Sequence, residues 1–268
     1  MKSDSNRTER FAISKDGTRI AYDAVGKGPI VILVGGAFSY RTFPGLQKLA
    51  GLLAPDFTVV NYDRRGRGDS GDQKTYAVAR EIEDLEAVIA ANGGDARVWG
   101  LSSGAALALE AAARGVGMDR LALYEPPYLA GGKGEVSPAE QRAQLERLIA
   151  ADKRDEAVKY FLRLMGAPGF AVTLMRIMPF WPRLRAVAHT LPYDASIMGD
   201  YSLPEAKLAS IRIPVLAIGG DKSPAALQEA ARQVGKAVPF GESRLLEGQN
   251  HNVSMNALAP VLKSFFLA

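Results

Sequence analysis

Five short apolar runs punctuate the chain. One of them, Ile30-Val31-Ile32-Leu33-Val34, is β-branched and bounded by Pro29 and Gly35, and its counterparts lie at 57–62, 96–101, 121–124 and 214–218. Runs of this length without polar alternation predict strands buried on both faces. Residues 243–246 form a weaker candidate of the same type. Near the beginning, 11–14 and 19–22 flank Asp16-Gly17, a dipeptide suited to a tight turn, and predict a hairpin. Helical spacing separates the runs. Across 76–91, Val78, Ile82, Leu85 and Ile89 fall on one stripe, and near the end Leu258, Val261, Leu262, Phe265 and Phe266 do the same. Buried strands alternating with amphipathic helices predict an α/β fold. It would have a mostly parallel eight-stranded sheet flanked by helices, with the antiparallel hairpin at one edge.

The rhythm breaks after residue 127. From there to 210 no strand-like run occurs, and Ser137-Pro138-Ala139-Glu140 has the form of a capped helix start. Pro179, Pro182 and Pro192 divide the second half of this stretch into short helices. The expected organisation is a core from 1–127 and 211–268 with a helical cap insertion at 128–210. An insertion of roughly eighty residues is too long for an ordinary connection. Segments of that kind commonly cover a site or carry specificity.

Composition narrows the chemistry. Of 268 residues, 47% are hydrophobic, enough for a sizeable core. The net charge of +4 is scattered, with no Lys/Arg block, so neither nucleic acid nor a membrane surface is an expected partner. Without Cys, disulfides and thiolate catalysis are excluded. The two histidines, His189 and His251, lack the spacing of a metal site, and no cofactor is expected. The polar first ten residues lack the apolar stretch of a signal peptide, which leads to the expectation of a cytoplasmic protein.

The informative stretch is Val98-Trp99-Gly100-Leu101-Ser102-Ser103-Gly104-Ala105-Ala106. A strand runs through Gly-x-Ser-x-Gly directly into an Ala/Leu-rich helix, the spacing of a sharp turn that projects Ser102 at a helix N-terminus. A nucleophilic Ser needs a base, and His251, on the loop between the last strand candidate and the last helix, follows it in the right order. His189 lies in the helical insertion and reads as a lid or core residue. Two carboxylates at strand ends can complete the set: Asp221 in Gly219-Gly220-Asp221-Lys222, and Glu125 in Tyr124-Glu125-Pro126-Pro127.

Together these residues resemble the α/β-hydrolase superfamily, specifically its small single-domain bacterial members, over nearly the whole chain. Tyr62-Asp63-Arg64-Arg65-Gly66-Arg67-Gly68-Asp69-Ser70 is similar to the Asp-x-Arg-Gly-x-Gly-x-Ser loop of that family, where its role is structural. Val34-Gly35-Gly36-Ala37-Phe38 aligns with the oxyanion loop, with Gly35 in place of the usual orienting His. The resemblance implies an oxyanion hole made by the main-chain amides of Ala37 and Ser103. The usual acid of the family lies three residues past a Gly after the seventh strand. Counted from Gly219 that position is Lys222, and Asp221 falls one residue early. Some relatives take the acid from the position that Glu125 matches. Both acids stay open, with a narrow preference for Asp221 as the commoner site.

Ser at the elbow disfavours the dehalogenase and epoxide hydrolase chemistries of the superfamily, which need a carboxylate there. The expected activity is acyl transfer to water from a small-molecule ester, thioester or lactone. The alternatives are a non-catalytic ligand-binding member of the fold and a lyase using the same residues as base. Met165, Phe170, Met175, Met178, Phe180 and Trp181 could roof an apolar pocket or pack the insertion onto the body.

Overall fold

In a computed structural model of the chain, the structure describes residues 10–129 and 136–268. The strands are β1 (Arg10–Ile13), β2 (Arg19–Gly26), β3 (Ile30–Val34), β4 (Thr58–Tyr62), β5 (Arg97–Leu101), β6 (Arg120–Tyr124), β7 (Val215–Gly220) and β8 (Gly241–Leu246). They form one eight-stranded sheet in the order β1-β2-β4-β3-β5-β6-β7-β8. The pairs β1–β2 and β2–β4 are antiparallel, and every other pair is parallel. The mostly parallel eight-stranded α/β sheet expected from the apolar runs, with the antiparallel hairpin at one edge, is the one observed.

Side-chain alternation along the central strands feeds two cores. Ile32 and Val34 of β3, Val98 of β5 and Leu121 and Leu123 of β6 face one layer of the core. Val31, Leu33, Trp99, Ala122 and Tyr124 face the other. On the first face pack α2 (Val78–Ala91), α3 (Ser103–Ala113) and α10 (Ala225–Ala237). On the second pack α1 (Pro44–Leu53) and α11 (Met255–Leu267). The weak signal at 243–246 has a physical cause: β8 is an edge strand with half of its residues exposed and one buried, so its sequence is more polar than that of the central strands.

Between β6 and β7 lie α4 (Pro138–Ala150), α5 (Arg154–Leu164), α6 (Gly169–Met175), α7 (Trp181–Ala186), α8 (Leu191–Met198) and α9 (Glu205–Leu208). Ser137 and Glu140 form a reciprocal capping box at the start of α4. Pro182 and Pro192 sit in the first turns of α7 and α8, where a missing N–H costs nothing. Helices α4 to α8 share a core of their own built on Leu145, Val158, Phe161, Val172, Trp181 and Leu191, and Ala37 and Phe38 of the loop after β3 pack against it.

The loop after β4 is tied down by charge. Arg65 donates to both oxygens of Asp84 at 2.7 Å, and Arg64 to those of Glu81 at 2.7 and 2.8 Å, so both guanidinium groups clamp α2. Asp63 accepts from the main-chain N–H groups of Arg41 and Asp69 and from the Arg41 side chain. All of these ions except Asp69 and Arg41 are almost fully buried, which is tolerable only because each is paired.

Burial sets the expected mutational pattern. Leu33→Ala, in a fully buried strand, should lower the unfolding free energy by about 2–5 kcal/mol. Arg244→Ala on the exposed edge strand should stay within about 0.5 kcal/mol. Urea midpoints at constant m-value check both, and equal effects would contradict the two-layer core.

Candidate active site

The centre of the site is the turn between β5 and α3. Ser102 adopts φ 54° and ψ −122°, a conformation that costs a non-glycine residue about 1–3 kcal/mol. Its main chain is held on both sides: Ser102 N–H donates to Tyr124 O at 2.9 Å, and Ser102 O accepts from Ala105 N–H at 2.9 Å. The start of α3 presses against β3 so closely that a Cβ at Gly104 would lie 2.4 Å from Val34 O. The Gly-x-Ser-x-Gly spacing therefore does what the sequence implied. Ser103, the first residue of α3, presents an N–H with no partner inside the helix.

Glu125 follows directly on β6 with φ 48° and is fully buried. Its N–H donates to Ile218 O at 2.8 Å. Oε1 accepts from Gly220 N–H at 2.8 Å and from the Ser223 hydroxyl, while Oε2 lies 2.6 Å from Nδ1 of His251. Burial works to raise the carboxyl pKa, but the hydrogen bonds from His251, Ser223 and Gly220 outweigh it and hold the group below its ordinary value. Of the five non-glycine residues with positive φ among the described residues, three lie here: Phe38, Ser102 and Glu125. Backbone strain concentrated in this way is a mark of functional sites.

The His251 loop is anchored by Tyr124 Oη, which donates to Asn250 O at 2.7 Å, and by Lys222 N–H, which donates to Gln249 O at 2.9 Å. With Nδ1 engaged by Glu125, Nε2 is the nitrogen left for the pocket that His251 and Ser102 both line.

The structure brings Glu125, and not Asp221, to Nδ1 of His251. Asp221 Oδ1 is buried without a hydrogen-bond partner among the described residues, and Oδ2 is 3.9 Å from Lys222 Nζ. Its N–H is bonded to Leu246 O, which continues the pairing of β7 with β8. The shortened β7 loop is instead drawn to Glu125 through Gly220 and Ser223.

Ala37 and Ser103 both line the pocket, as the oxyanion-hole expectation requires. A Cβ on Gly35 would lie 2.1 Å from the Ser39 hydroxyl and 2.7 Å from Ser39 Cβ, so a His there would require Ser39 to shift. The pocket has a volume of about 540 Å³, and its apolar wall comes from Phe38, Leu46, Leu101, Phe161, Met165 and Met198. Of the six insertion residues considered as a roof, Met165 alone lines it. Trp181 is buried in the core of the insertion, Met175 packs against that core, and Phe170, Met178 and Phe180 are exposed. His189 lies outside, 3.7 Å from Asp72. Among the described residues no cluster of His, Cys, Asp or Glu could hold a metal ion, and no helix is long and apolar enough to cross a membrane.

Sequence reasoning missed Phe161 and Met198 in the pocket wall, and Asp194 of α8. Asp194 is fully buried against Arg64, Arg67 and Ser103. Nothing in Pro192-Tyr193-Asp194-Ala195 marks it, because its partners lie some ninety to 130 residues away in the chain.

Comparisons with known proteins agree with this architecture. The model of the alpha/beta hydrolase family matches residues 30–262. The chain is 48% identical to an alpha/beta hydrolase from Sphaerobacter thermophilus of known structure, covering 96% of this chain and 100% of that one with a TM-score of 0.89. A hydrolase from Pseudomonas aeruginosa is similar at 24% identity and TM-score 0.74, covering 99% and 100% of the two chains. An esterase from Rhodococcus sp. shares the fold at 21% identity and TM-score 0.71, covering 97% and 99%. No curated protein matches the chain in sequence.

Two outcomes follow from the site's physics. Gly104→Ala should be strongly destabilising, because the clash is with main-chain atoms that cannot rotate away. A thermal or urea midpoint near wild type would show that β3 and α3 can separate. Glu125 has a depressed pKa in the folded state, so the stability it contributes is present above the ordinary glutamate value of about 4.3 and is lost as pH falls through the lower folded value. The stability gap between wild type and Glu125→Gln should therefore shrink below that pH. A gap independent of pH would show that the carboxylate is not held as an anion.

Proposed function

Because the chain belongs to the alpha/beta hydrolase family, we propose that it is a serine hydrolase with Ser102 as nucleophile, His251 as general base and Glu125 as the orienting acid. The observation that carries this reading is the 2.6 Å contact between His251 Nδ1 and the buried Glu125 carboxylate, beside a pocket that also holds the strained Ser102. A carboxylate on Nδ1 fixes the tautomer that leaves Nε2 free to accept a proton, and it stabilises the imidazolium that results.

The proposed steps follow from those roles. His251 Nε2 takes the hydroxyl proton as Ser102 Oγ attacks the acyl carbon, and the carbonyl electrons move onto oxygen. The amides of Ala37 and Ser103 then meet the oxyanion, an arrangement in which each donor contributes about 2.7–4 kcal/mol. Collapse breaks the bond to the leaving oxygen, or sulfur in a thioester, which receives the proton from His251. Water, deprotonated by the same imidazole, attacks the acyl carbon; collapse breaks its bond to Ser102 Oγ, which takes the proton back from His251 as the acid leaves. The substrate class this supports is an ester, thioester or lactone. The wall of Phe38, Leu46, Phe161 and Met198 suits an uncharged, apolar acyl group.

Turnover of a p-nitrophenyl ester series together with fluorophosphonate labelling tests the reading. Ser102→Ala and His251→Ala should each lower kcat by a factor on the order of 10⁶, since such residues act as a unit. Glu125→Gln should cost on the order of 10⁴, while Asp221→Asn stays close to wild type. The reverse result for the two carboxylates would move the acid to the β7 loop. A wild-type protein that neither labels nor turns over ester would be a ligand-binding member of the fold.

A further inference from the structure

The loop after β4 and helix α8 meet in a buried ionic cluster that the steps above do not use. Asp194 accepts from Arg64 Nη1 at 2.8 Å, Arg67 Nη2 at 2.7 Å and the Ser103 hydroxyl at 2.7 Å. Arg67 also donates through Nη1 to Gly36 O at 2.7 Å and through Nε to Thr190 Oγ1 at 3.1 Å. Burial alone would push the Asp194 carboxyl up, but Arg67 and Arg64 hold it below the usual carboxylate range, so it is an anion at neutral pH. An ion network this deeply buried is a poor source of net stability, because desolvation offsets much of the attraction. Its hydrogen bonds point to another use.

Both amides assigned to the oxyanion hole are one contact away from the cluster. Gly36 O is fixed by Arg67, by the Ser39 hydroxyl at 2.5 Å and by Ser39 N–H at 3.3 Å. The Gly36–Ala37 peptide is trans, so its N–H points opposite to its carbonyl. Anchoring Gly36 O at Arg67 therefore aims the Ala37 N–H away from that guanidinium; Ala37 lines the pocket and Arg67 does not. Ser103 supplies the second amide, and its side chain is pinned to Asp194. Phe38, the next residue in the oxyanion loop, sets its ring edge-on to Phe161 of α5 at 5.4 Å, a second tie between that loop and the insertion.

We infer that Asp194 is a positioning residue that orients both oxyanion donors at once, through Arg67 and Gly36 on one side and through Ser103 on the other. The hole is thus complete only while α8 is seated on the core. Asp194, Arg64 and Arg67 do not line the pocket, so the effect passes through other groups and not through contact with substrate. The inference rests on the hydrolase reading, in which alone these amides have a charge to meet.

The test compares wild type, Asp194→Asn and Ser103→Ala as full chains. Asp194→Asn keeps the shape but removes the negative charge that both guanidinium groups face. Ser103→Ala removes only the hydroxyl that donates to Asp194 at 2.7 Å and accepts from Arg64 at 3.5 Å, and it keeps the test open where the first variant does not fold. On a short p-nitrophenyl ester, with active sites titrated by fluorophosphonate, kcat should fall on the order of 10²-fold in Asp194→Asn and about 10-fold in Ser103→Ala, with KM nearly unchanged. The inhibition constant of a trifluoromethyl ketone should rise by the factor that kcat/KM falls, because both read the oxyanion. A role confined to folding would leave titrated kcat and ketone affinity alone. Hydrogen exchange over residues 35–40 should quicken in both variants. Wild-type kcat, ketone affinity and exchange in Ser103→Ala would overturn the inference and leave the hydrolase reading standing. A wild type without ester turnover would overturn the hydrolase reading instead, and the exchange data would then decide the coupling of α8 to the loop by themselves.

Discussion

The arrangement at the carboxyl edge of the sheet depends on one backbone constraint, the left-handed conformation forced on Ser102. A side chain at φ 54° is unfavourable anywhere, and it persists here because the surroundings leave no alternative. β5 is paired on both sides, by β3 and β6, and its last residues are locked into that ladder. α3 must begin immediately afterwards, with Gly104 against the Val34 carbonyl. The only path between a fixed strand end and a fixed helix start throws Ser102 outward. The strain is small beside the burial of the strands that impose it, several of whose residues have no accessible surface at all.

Strand order then determines what can stand beside that serine. Neighbouring strands lie about 4.8 Å apart, so the end of β6 is one strand from Ser102 and the end of β7 is two. A carboxylate on β6 is close to an imidazole that arrives from beyond β8, and a Glu has the longer reach. The two donors from the β7 loop, Gly220 and Ser223, use up Oε1 and leave Oε2 for His251. A buried anion with both oxygens hydrogen-bonded is stabilised as an anion, which is the property an orienting acid requires.

The insertion between β6 and β7 is joined to the body in two chemically different ways. Its apolar core receives Ala37 and Phe38 from the loop after β3, while Asp194 enters a charge-balanced cluster with Arg64, Arg67 and Glu81. Apolar packing is tolerant of small shifts, whereas a carboxylate that bonds two guanidinium groups and a hydroxyl admits a narrow range of positions. The helices that supply the pocket wall are therefore located on the core by a polar contact that also touches the turn at Ser102.

Much of this was legible along the chain. The central strands announce themselves because burial on both faces demands continuous apolar runs, and β8 does so weakly because an edge strand faces water. The elbow is legible because its requirements are local: a strand, a Ser between two glycines and a helix, all within a few residues. His251 follows from chain order and from the scarcity of histidine. The identity of the carboxylate beside it, the contribution of Met165 without Phe170, and the meeting of Asp194 with Arg67 and Ser103 were decided by tertiary structure. Each is a contact between segments tens to more than a hundred residues apart, where no periodicity links the partners. Asp221 and Glu125 look alike in sequence because both end parallel strands. They differ only in how many strands separate them from Ser102 and in which loop bends toward which, and those are properties of strand order and not of any local pattern.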